Sequence, residues 1–402
     1  MKTLIKKLTP NFILSYYHLI LAILAKLFYN NPSKRMTVIG VTGTAGKSST
    51  CYFIAQVLEA SGFNVGMTTT TLFKIKNKEW LNDQKMTMLG RFQTQKLLKK
   101  MVKQNCNIAI IETSSEGIKQ SRHVGINYDI LVFTNIYPEH IESHGSFEKY
   151  KQAKGRLFKH LENSYHKKNI EKTIIVNKDD ENANYFLNFK ADKKITYTKS
   201  DAQGYKINLL GKYNIYNALA AANVASVLKV DHLKIKQAIT NLKPLPGRLE
   251  FIKNNKGFKI MVDYSFEPQA LEKLYQTLSD VKYNKLIHVL GSCGGGRDKA
   301  RRPILGKMAE KKANTIIVTN EDPYDENPQT IIDQVISGIK DKSKTLKILD
   351  RRQAIHKALS IAKENDLVLI TGKGAEQAIC TAHNKKMPWD DRQIVKEELT
   401  KI

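Results

Sequence analysis

The chain has 402 residues, enough for two or three domains that each bury a core. With 42% apolar and 26% charged residues it is neither a disordered chain nor a polytopic membrane protein. A formal charge of +27 favours anionic partners such as nucleotides, anionic lipid or acidic metabolites, although lysines spread over solvated faces give the same total.

The first element is Phe12 to Tyr29 (FILSYYHLILAILAKLFY), strongly apolar, preceded by Lys2, Lys6 and Lys7, with no acidic residue before Glu59. It has no good small-residue cleavage site for export. Ser15, His18, Lys26 and the basic flanks suit a helix lying in an anionic lipid interface over residues 8–30; a helix packed on the next domain and a true span are the alternatives. From Met36 onward, β-rich runs alternate with helical patterns. Strands are expected at Thr37 to Val41, Ile108 to Glu112, Ile130 to Thr134 and Thr173 to Asn177, followed by an Ala-rich helix over Tyr213 to Leu228. The turn Pro244-Leu-Pro-Gly247 reads as a boundary, and a second series of strands follows at Lys259 to Asp263, Leu286 to Leu290, Thr315 to Thr319 and Leu367 to Thr371.

The expected fold class is therefore α/β. A P-loop central ATPase domain with a mostly parallel sheet precedes a Rossmann-like C-terminal α/β domain, and a short apolar N-terminal helix comes before both. The expected domains are residues 1–35, 36–245 and 246–402, with the site in the cleft between the larger two. The four cysteines, Cys51, Cys106, Cys293 and Cys380, form no C-x-x-C pair, which argues against a zinc ribbon or disulfide scaffold and fits a reducing cytosol.

Gly40-Val-Thr-Gly43-Thr44-Ala45-Gly46-Lys47-Ser48-Ser49-Thr50 follows a strand and opens a helix, the context of a phosphate-binding loop. Its glycines admit phosphate oxygens to backbone N–H groups, Lys47 is placed to neutralise β/γ-phosphates, and the Ser48 hydroxyl to take a Mg²⁺ position. Val41 stands where the strict G-x-x-x-x-G-K-[ST] spacing has its first glycine. Glu112 ends an apolar run, which puts its carboxylate at the crevice and within reach of a metal. His140 follows another strand, and Lys154 lies 14 residues beyond it on a helix. His140 is read as a metal ligand.

These motifs come together with Glu112-Thr-Ser-Ser115 and Arg122, Thr134-Asn135, His144, Tyr150, Ala153-Lys154, and Gly211-Lys-Tyr-Asn214-Ile-Tyr-Asn217-Ala. Pro246-Gly247-Arg248, Val262-Asp263-Tyr264 and Gly372-Lys373-Gly374 follow in order. The set resembles the Mur ligase family of ATP-dependent amide-bond-forming enzymes, closest to its UDP-N-acetylmuramyl-tripeptide synthetase (MurE) branch, from about Met36 to the C-terminus. The resemblance implies a ligase that phosphorylates a carboxylate and lets an amine displace the phosphate, with ATP, two Mg²⁺ and a CO₂-derived carbamate on Lys154. It implies Lys47, Ser48, Glu112 and His140 as phosphate and metal contacts, and Asn217, Arg248 and Asp263 as nucleotide contacts. Ser114 and Arg122 would meet a muramyl-peptide or related carboxylate acceptor, while Arg297, Asp322, Tyr324, Gly372 and Glu376 would receive the incoming amino acid.

Four departures accompany the resemblance. Only about 35 residues precede the phosphate-loop strand, fewer than the family's UDP-binding domain needs, which leaves the acceptor open between UDP-linked and lipid-linked forms. The family's Asp-Asn-Pro-Arg segment reads Glu321-Asp322-Pro323-Tyr324, and tyrosine cannot grip the distal carboxylate of diaminopimelate as arginine does, which weakens diaminopimelate unless Arg297, Arg301 or Arg302 substitutes and leaves lysine or another amine open. Ala375 stands where the MurE pattern has histidine, and Val262-Asp-Tyr-Ser-Phe266-Glu267 replaces the usual Ala-His-Thr. Competing expectations are a Mur-like ligase with another acceptor, such as a poly-γ-glutamate or cyanophycin-like synthetase or an amidotransferase subunit, and a basic P-loop protein that ligates nothing. No helix-turn-helix, RNA-recognition or zinc-finger pattern appears, so nucleic acid is not an expected partner. A cytoplasmic protein, with residues 8–30 at the inner face of the membrane, is the expected location.

Overall fold

The computed structural model describes residues 11–139, 144–296 and 299–402. His140 and Arg297 lie outside the described residues, as do residues 8–10 of the expected lipid-facing stretch. The chain forms two compact units, Met1–Lys243 and Pro244–Ile402.

The first unit is built on eight strands: β1 (Thr37–Thr42), β2 (Val65–Thr68), β3 (Leu72–Ile75), β4 (Lys78–Leu81), β5 (Ile108–Glu112), β6 (Ile130–Phe133), β7 (Thr173–Asn177) and β8 (Lys193–Tyr197). Their order is β4-β3-β2-β5-β1-β6-β7-β8. All neighbours run parallel except in the edge pairs β2–β3 and β3–β4. Runs such as Ile-Ala-Ile-Ile and Ile-Leu-Val-Phe are buried along their whole length, as strands covered by helices on both faces must be. Register sets the site: Val41 pairs with Glu112 and Thr42 with Phe133, so the carboxyl ends of β5, β1 and β6 finish level.

Two helices matter most for what lies at that edge. Phe147–Glu162 is capped by Ser146, whose hydroxyl accepts from the Lys149 amide, and buries Tyr150, Ala153, Lys154, Leu157, Phe158 and Leu161. That is an amphipathic stripe of helical period, and Lys154 stands on its apolar side. The helix Lys212–Val227 packs on Lys47–Ala60, and its buried alanines, among them Ala218, Ala221 and Ala225, keep the two close. At the far end of the sheet, the buried Asp129 carboxylate takes the Val38 amide at 2.8 Å and the ammonium of Lys172 at 3.0 Å, and pairs also with Lys167.

The expected N-terminal helix spans Asn11–Phe28 and lies beside the helix Arg91–Lys103. It buries Ala22 and Ala25 against the unit. Among the described residues no helix is long and apolar enough to cross a membrane.

The second unit carries β9 (Glu250–Phe251), β10 (Lys259–Asp263), β11 (Leu286–Leu290), β12 (Thr315–Val318), β13 (Thr345–Lys347) and β14 (Leu367–Thr371) in the order β13-β12-β11-β14-β10-β9, with only β9 antiparallel. A separate hairpin joins β15 (Ala378–Thr381) to β16 (Lys385–Pro388). The strands expected from sequence are four adjacent ones in each sheet, β5-β1-β6-β7 in the first and β12-β11-β14-β10 in the second, and the mixed, mostly parallel α/β architecture is the one expected.

Candidate active site

β1 delivers the chain to a tight loop ending at Gly46, from which Lys47–Ala60 starts. Gly46 has φ +78°, and a Cβ there would stand 2.6 Å from Asn217 Oδ1; at Gly43 it would stand 2.0 Å from Thr134 Oγ1. Side chains are excluded at both positions by backbone conformation and by neighbours. The loop is held from β6: the Thr44 amide donates to Asn135 O at 2.8 Å, the Ala45 amide to Asn135 Oδ1 at 2.9 Å, and the Thr134 hydroxyl to Ala45 O at 2.8 Å. Thr44 Oγ1 also lies 3.1 Å from the Tyr150 hydroxyl. The amides of Thr44 and Ala45 are thus committed to the protein. Those of Lys47, Ser48 and Ser49 open the helix, where first-turn N–H groups have no intrahelical acceptor and meet anions. Lys47 Nζ donates to Thr44 O at 2.7 Å, folded back over the loop.

Glu112 is 2% exposed at the end of β5. Its Oε2 accepts the Ser48 hydroxyl at 2.7 Å and the Thr70 amide at 2.7 Å, and its Oε1 accepts the Thr70 hydroxyl at 2.9 Å. Lys154 is 1% exposed, donates from Nζ to Gly43 O at 2.8 Å and lies 4.6 Å from the centre of the Tyr150 ring. Burial, and next the charge of Lys47, hold its amine well below the ordinary lysine value. Asn217 sits beneath the loop, accepting from the Thr50 hydroxyl at 3.0 Å and donating to Asn214 Oδ1 at 3.0 Å.

Lys47, Ser48, Glu112, Lys154 and Asn217 therefore meet around one loop. Among the described residues no three His, Cys, Asp or Glu side chains converge. The donors present, a carboxylate and an adjoining hydroxyl, are the hard oxygen ligands that Mg²⁺ takes, and they fit such an ion. Ser114 caps the short helix Ser115–Lys119, its hydroxyl accepting from the Gly117 amide at 3.2 Å. Arg122 donates to Met88 O and, at 2.7 Å, to Gln120 Oε1. Arg91 bridges this segment to the N-terminal helix, donating to Gln120 O and, at 3.0 Å, to His18 O.

The second unit gathers its own set. Asp263 ends β10 and accepts the amides of Leu249 and Ser265, each at 2.8 Å. The Arg248 guanidinium lies 4.4 Å from the Tyr264 ring centre, and the Tyr264 hydroxyl donates to Glu376 Oε1 at 2.8 Å. Lys373, fully buried, donates to both Asp322 oxygens at 2.9 and 3.0 Å and to Glu376 Oε2. Gly372 follows β14 against the Glu321 carboxylate, and the Tyr324 amide donates to Cys380 O at 3.1 Å. Sequence reasoning missed two anchors of this geometry, Thr70 on Glu112 and Lys373 on Asp322. The run Thr68-Thr69-Thr70-Thr71 after an apolar strand was the available signal for the first.

Comparisons with known proteins agree along the chain. The Mur ligase middle domain matches residues 41–225, and the domain described as Mur ligase, glutamate ligase domain matches residues 247–374. A UDP-N-acetylmuramoyl-L-alanyl-D-glutamate–2,6-diaminopimelate ligase of Bacillus cereus is 33% identical over 405 residues, covering 94% of this chain and 81% of its own. A UDP-N-acetylmuramyl-tripeptide synthetase of Borreliella afzelii is 34% identical over 410 residues, covering 94% and 80%. A solved UDP-N-acetylmuramoyl-L-alanyl-D-glutamate–2,6-diaminopimelate ligase is similar with TM-score 0.61 and 29% identity, covering 91% of this chain and 78% of that one. A folylpolyglutamate synthase of Mycobacterium tuberculosis shares the fold, with TM-score 0.69 at 16% identity over 88% and 92% of the chains.

Proposed function

The chain belongs to the Mur ligase family of ATP-dependent acid–amino-acid ligases, and on that premise we propose that it adds the third amino acid to a muramyl dipeptide in peptidoglycan synthesis. The observation that carries this reading is the meeting of Ser48, Glu112 and the buried Lys154 around one phosphate loop. Identities of 33–34% to a diaminopimelate ligase and a tripeptide synthetase support it.

In this reading Lys47 and the first-turn amides hold the triphosphate while an acceptor carboxylate oxygen attacks the γ-phosphorus and ADP leaves. The acyl phosphate then takes an amine at its carbonyl carbon, the amine loses a proton, and inorganic phosphate departs with the C–O bond electrons. Phosphorylation turns a poor leaving oxygen into a good one. Ser48, Glu112 and His140, with a Lys154 carbamate, would hold Mg²⁺, and the ion would supply charge neutralisation at the transferring phosphoryl group. A carbamate there would form by addition of the Lys154 amine to CO₂ with release of one proton. Asn217, Arg248 and Asp263 are assigned to the nucleotide, and Ser114 and Arg122 to the acceptor. Arg297, Asp322, Tyr324, Gly372 and Glu376 are assigned to the amino acid. Tyr324 offers no positive charge to a distal carboxylate, so lysine or another amine is favoured over diaminopimelate. A cytoplasmic location with residues 8–30 at a membrane surface belongs to the same reading.

The test is phosphate release by purified protein with ATP, Mg²⁺ and bicarbonate, across muramyl dipeptide acceptors and a panel of amino acids that includes lysine and diaminopimelate. Release that needs both a muramyl dipeptide and an amino acid supports the proposal. Release only with acceptors lacking the muramyl group overturns it.

A further inference from the structure

The helix Asn11–Phe28 is apolar on two sides at once. Its inner side is buried at Ala22 and Ala25, while Tyr16, Tyr17, Ile20, Leu24, Leu27 and Phe28 stand 50–75% exposed in one helical stripe. Phe92, on the neighbouring helix, extends the patch, its ring 6.2 Å from that of Phe28. A helix that met only water here would carry polar residues on that side.

The sequence here is basic: the first 58 residues contain seven basic side chains, Lys26, Lys34 and Arg35 among them, and no acidic one, while at the cavity edge Lys159 is paired with Glu162 at 2.7 Å. Beside the same helix lies a cavity of about 570 Å³, walled by Tyr16, Leu19 and Val124 and edged by His123, Arg156 and Lys159. Arg156 is exposed and has no hydrogen bond or ion pair among the described residues. His123 is 4% exposed, and its Nδ1 is buried without a hydrogen-bond partner among the described residues. Burial, helped by His160 and Arg156, holds the His123 imidazole neutral, with its pKa pushed down to about 3. An apolar wall, a neutral polar group and an unpaired guanidinium are together complementary to an amphiphile with an anionic head.

We propose that the outward stripe of Asn11–Phe28 and the adjoining cavity form one docking surface for a bilayer containing anionic phospholipid, with a lipid phosphate at Arg156 and an acyl chain along Leu19 and Val124. This rests on the part of the proposed function that places residues 8–30 at a membrane, and names the lipid class and the residues that recognise it. The stripe enters the acyl boundary while the basic residues meet phosphates, as interfacial amphipathic helices do.

Flotation of the full chain with phosphatidylcholine vesicles, with and without phosphatidylglycerol, tests it. Wild type should float with the phosphatidylglycerol vesicles and be partly released by salt. The doubly substituted Ile20→Glu/Leu24→Glu protein should lose about tenfold or more in partitioning, because two charges then enter the apolar boundary. Both positions are exposed, and an unchanged melting midpoint confirms that the variant folds. Arg156→Gln should keep flotation but lose at least about threefold of the preference for phosphatidylglycerol. Equal partitioning of wild type and the double variant overturns the proposal. So does concentration-dependent self-association that the double variant abolishes while vesicles bind neither protein, which would make the stripe an interface between copies. Flotation requires no turnover, so a protein that floats but ligates nothing overturns the ligase reading alone.

Discussion

Glu112→Gln keeps the shape of a buried side chain and removes its charge, so it separates support of the loop from chemistry at the loop. In the parent, Oε2 accepts from the Ser48 hydroxyl and the Thr70 amide, each at 2.7 Å, and Oε1 from the Thr70 hydroxyl at 2.9 Å. A glutamine oriented with its oxygen in the Oε2 place keeps the first two bonds as neutral ones and donates its amide to Thr70 Oγ1. Bonds to an ionised acceptor contribute about 1.5–3 kcal/mol and neutral ones about 0.5–1.5 kcal/mol, so two such bonds weakened by about 1 kcal/mol each cost roughly 2 kcal/mol. Glu112→Ala instead leaves the Ser48 hydroxyl and the Thr70 amide without acceptors, at about 1–3 kcal/mol each, or roughly 2–6 kcal/mol together. Turnover should fall by at least about 100-fold in both, because the negative charge beside the phosphate loop is gone. Urea midpoints and phosphate release at saturating ATP and Mg²⁺ provide the two readouts. A glutamine variant that turns over within a few-fold of the parent would show Glu112 to be a strut for Ser48 and Thr70, with no part in metal binding.

Lys154→Ala should abolish phosphate release, and small carboxylic acids should restore part of it by occupying the place of a carbamate; restoration by small amines instead would refute the modification. Gly46→Ala forces a Cβ to 2.6 Å from Asn217 Oδ1 at φ +78°, and with about 1–2 kcal/mol of backbone strain alone it should raise the KM for ATP by about tenfold; an unchanged KM would mean that the loop reshapes freely. Tyr324→Arg should raise kcat/KM for diaminopimelate relative to lysine by about tenfold, the worth of one charge-assisted carboxylate contact, and an unchanged ratio would place amino-acid selection elsewhere. His288 lies between the Tyr275 and Thr371 hydroxyls at 2.8 and 2.9 Å, and burial, with Arg351, pushes its pKa down to about 3. The unfolded chain, with a histidine pKa near 6.5, then binds a proton first as pH falls. The stability tied to a neutral His288 is complete above about pH 6.5 and declines by about 1.4 kcal/mol per unit towards pH 3. Urea midpoints of the second unit should show that slope in the parent and lose most of it in His288→Gln; parallel slopes would refute the burial argument.

Strands with long Ile, Val and Leu runs announce themselves, and those are β5, β1, β6 and β7 in one sheet and β12, β11, β14 and β10 in the other. The strands that went unread are the short ones, the buried β2 (Val-Gly-Met-Thr) and those towards the sheet edges. β4 is Lys-Glu-Trp-Leu, β8 begins Lys-Lys and β13 is Thr-Leu-Lys, short segments exposed on one side that lack the apolar continuity of a covered strand. The two-residue Lys76–Asn77 turn between β3 and β4, with φ +51° at Lys76, carries no Gly to mark it. At the site, Lys47, Ser48 and Glu112 were singled out by their offsets from strand ends and Lys154 by the family resemblance, and the structure brings the four around one loop. What was not legible is who holds them. Asn135 takes the amides of Thr44 and Ala45, and Thr70 takes two sides of the Glu112 carboxylate, through loops whose paths no periodicity encodes. Lys154 stands on the buried side of Phe147–Glu162, a position that the family resemblance and not the periodicity marked out.

The bonds from Thr134, Asn135 and Tyr150 to the loop between β1 and its helix have a kinetic consequence. A mould that is already set before a polyphosphate arrives surrenders little conformational freedom on filling, so at the proposed nucleotide site capture is governed by encounter rather than by ordering of the loop.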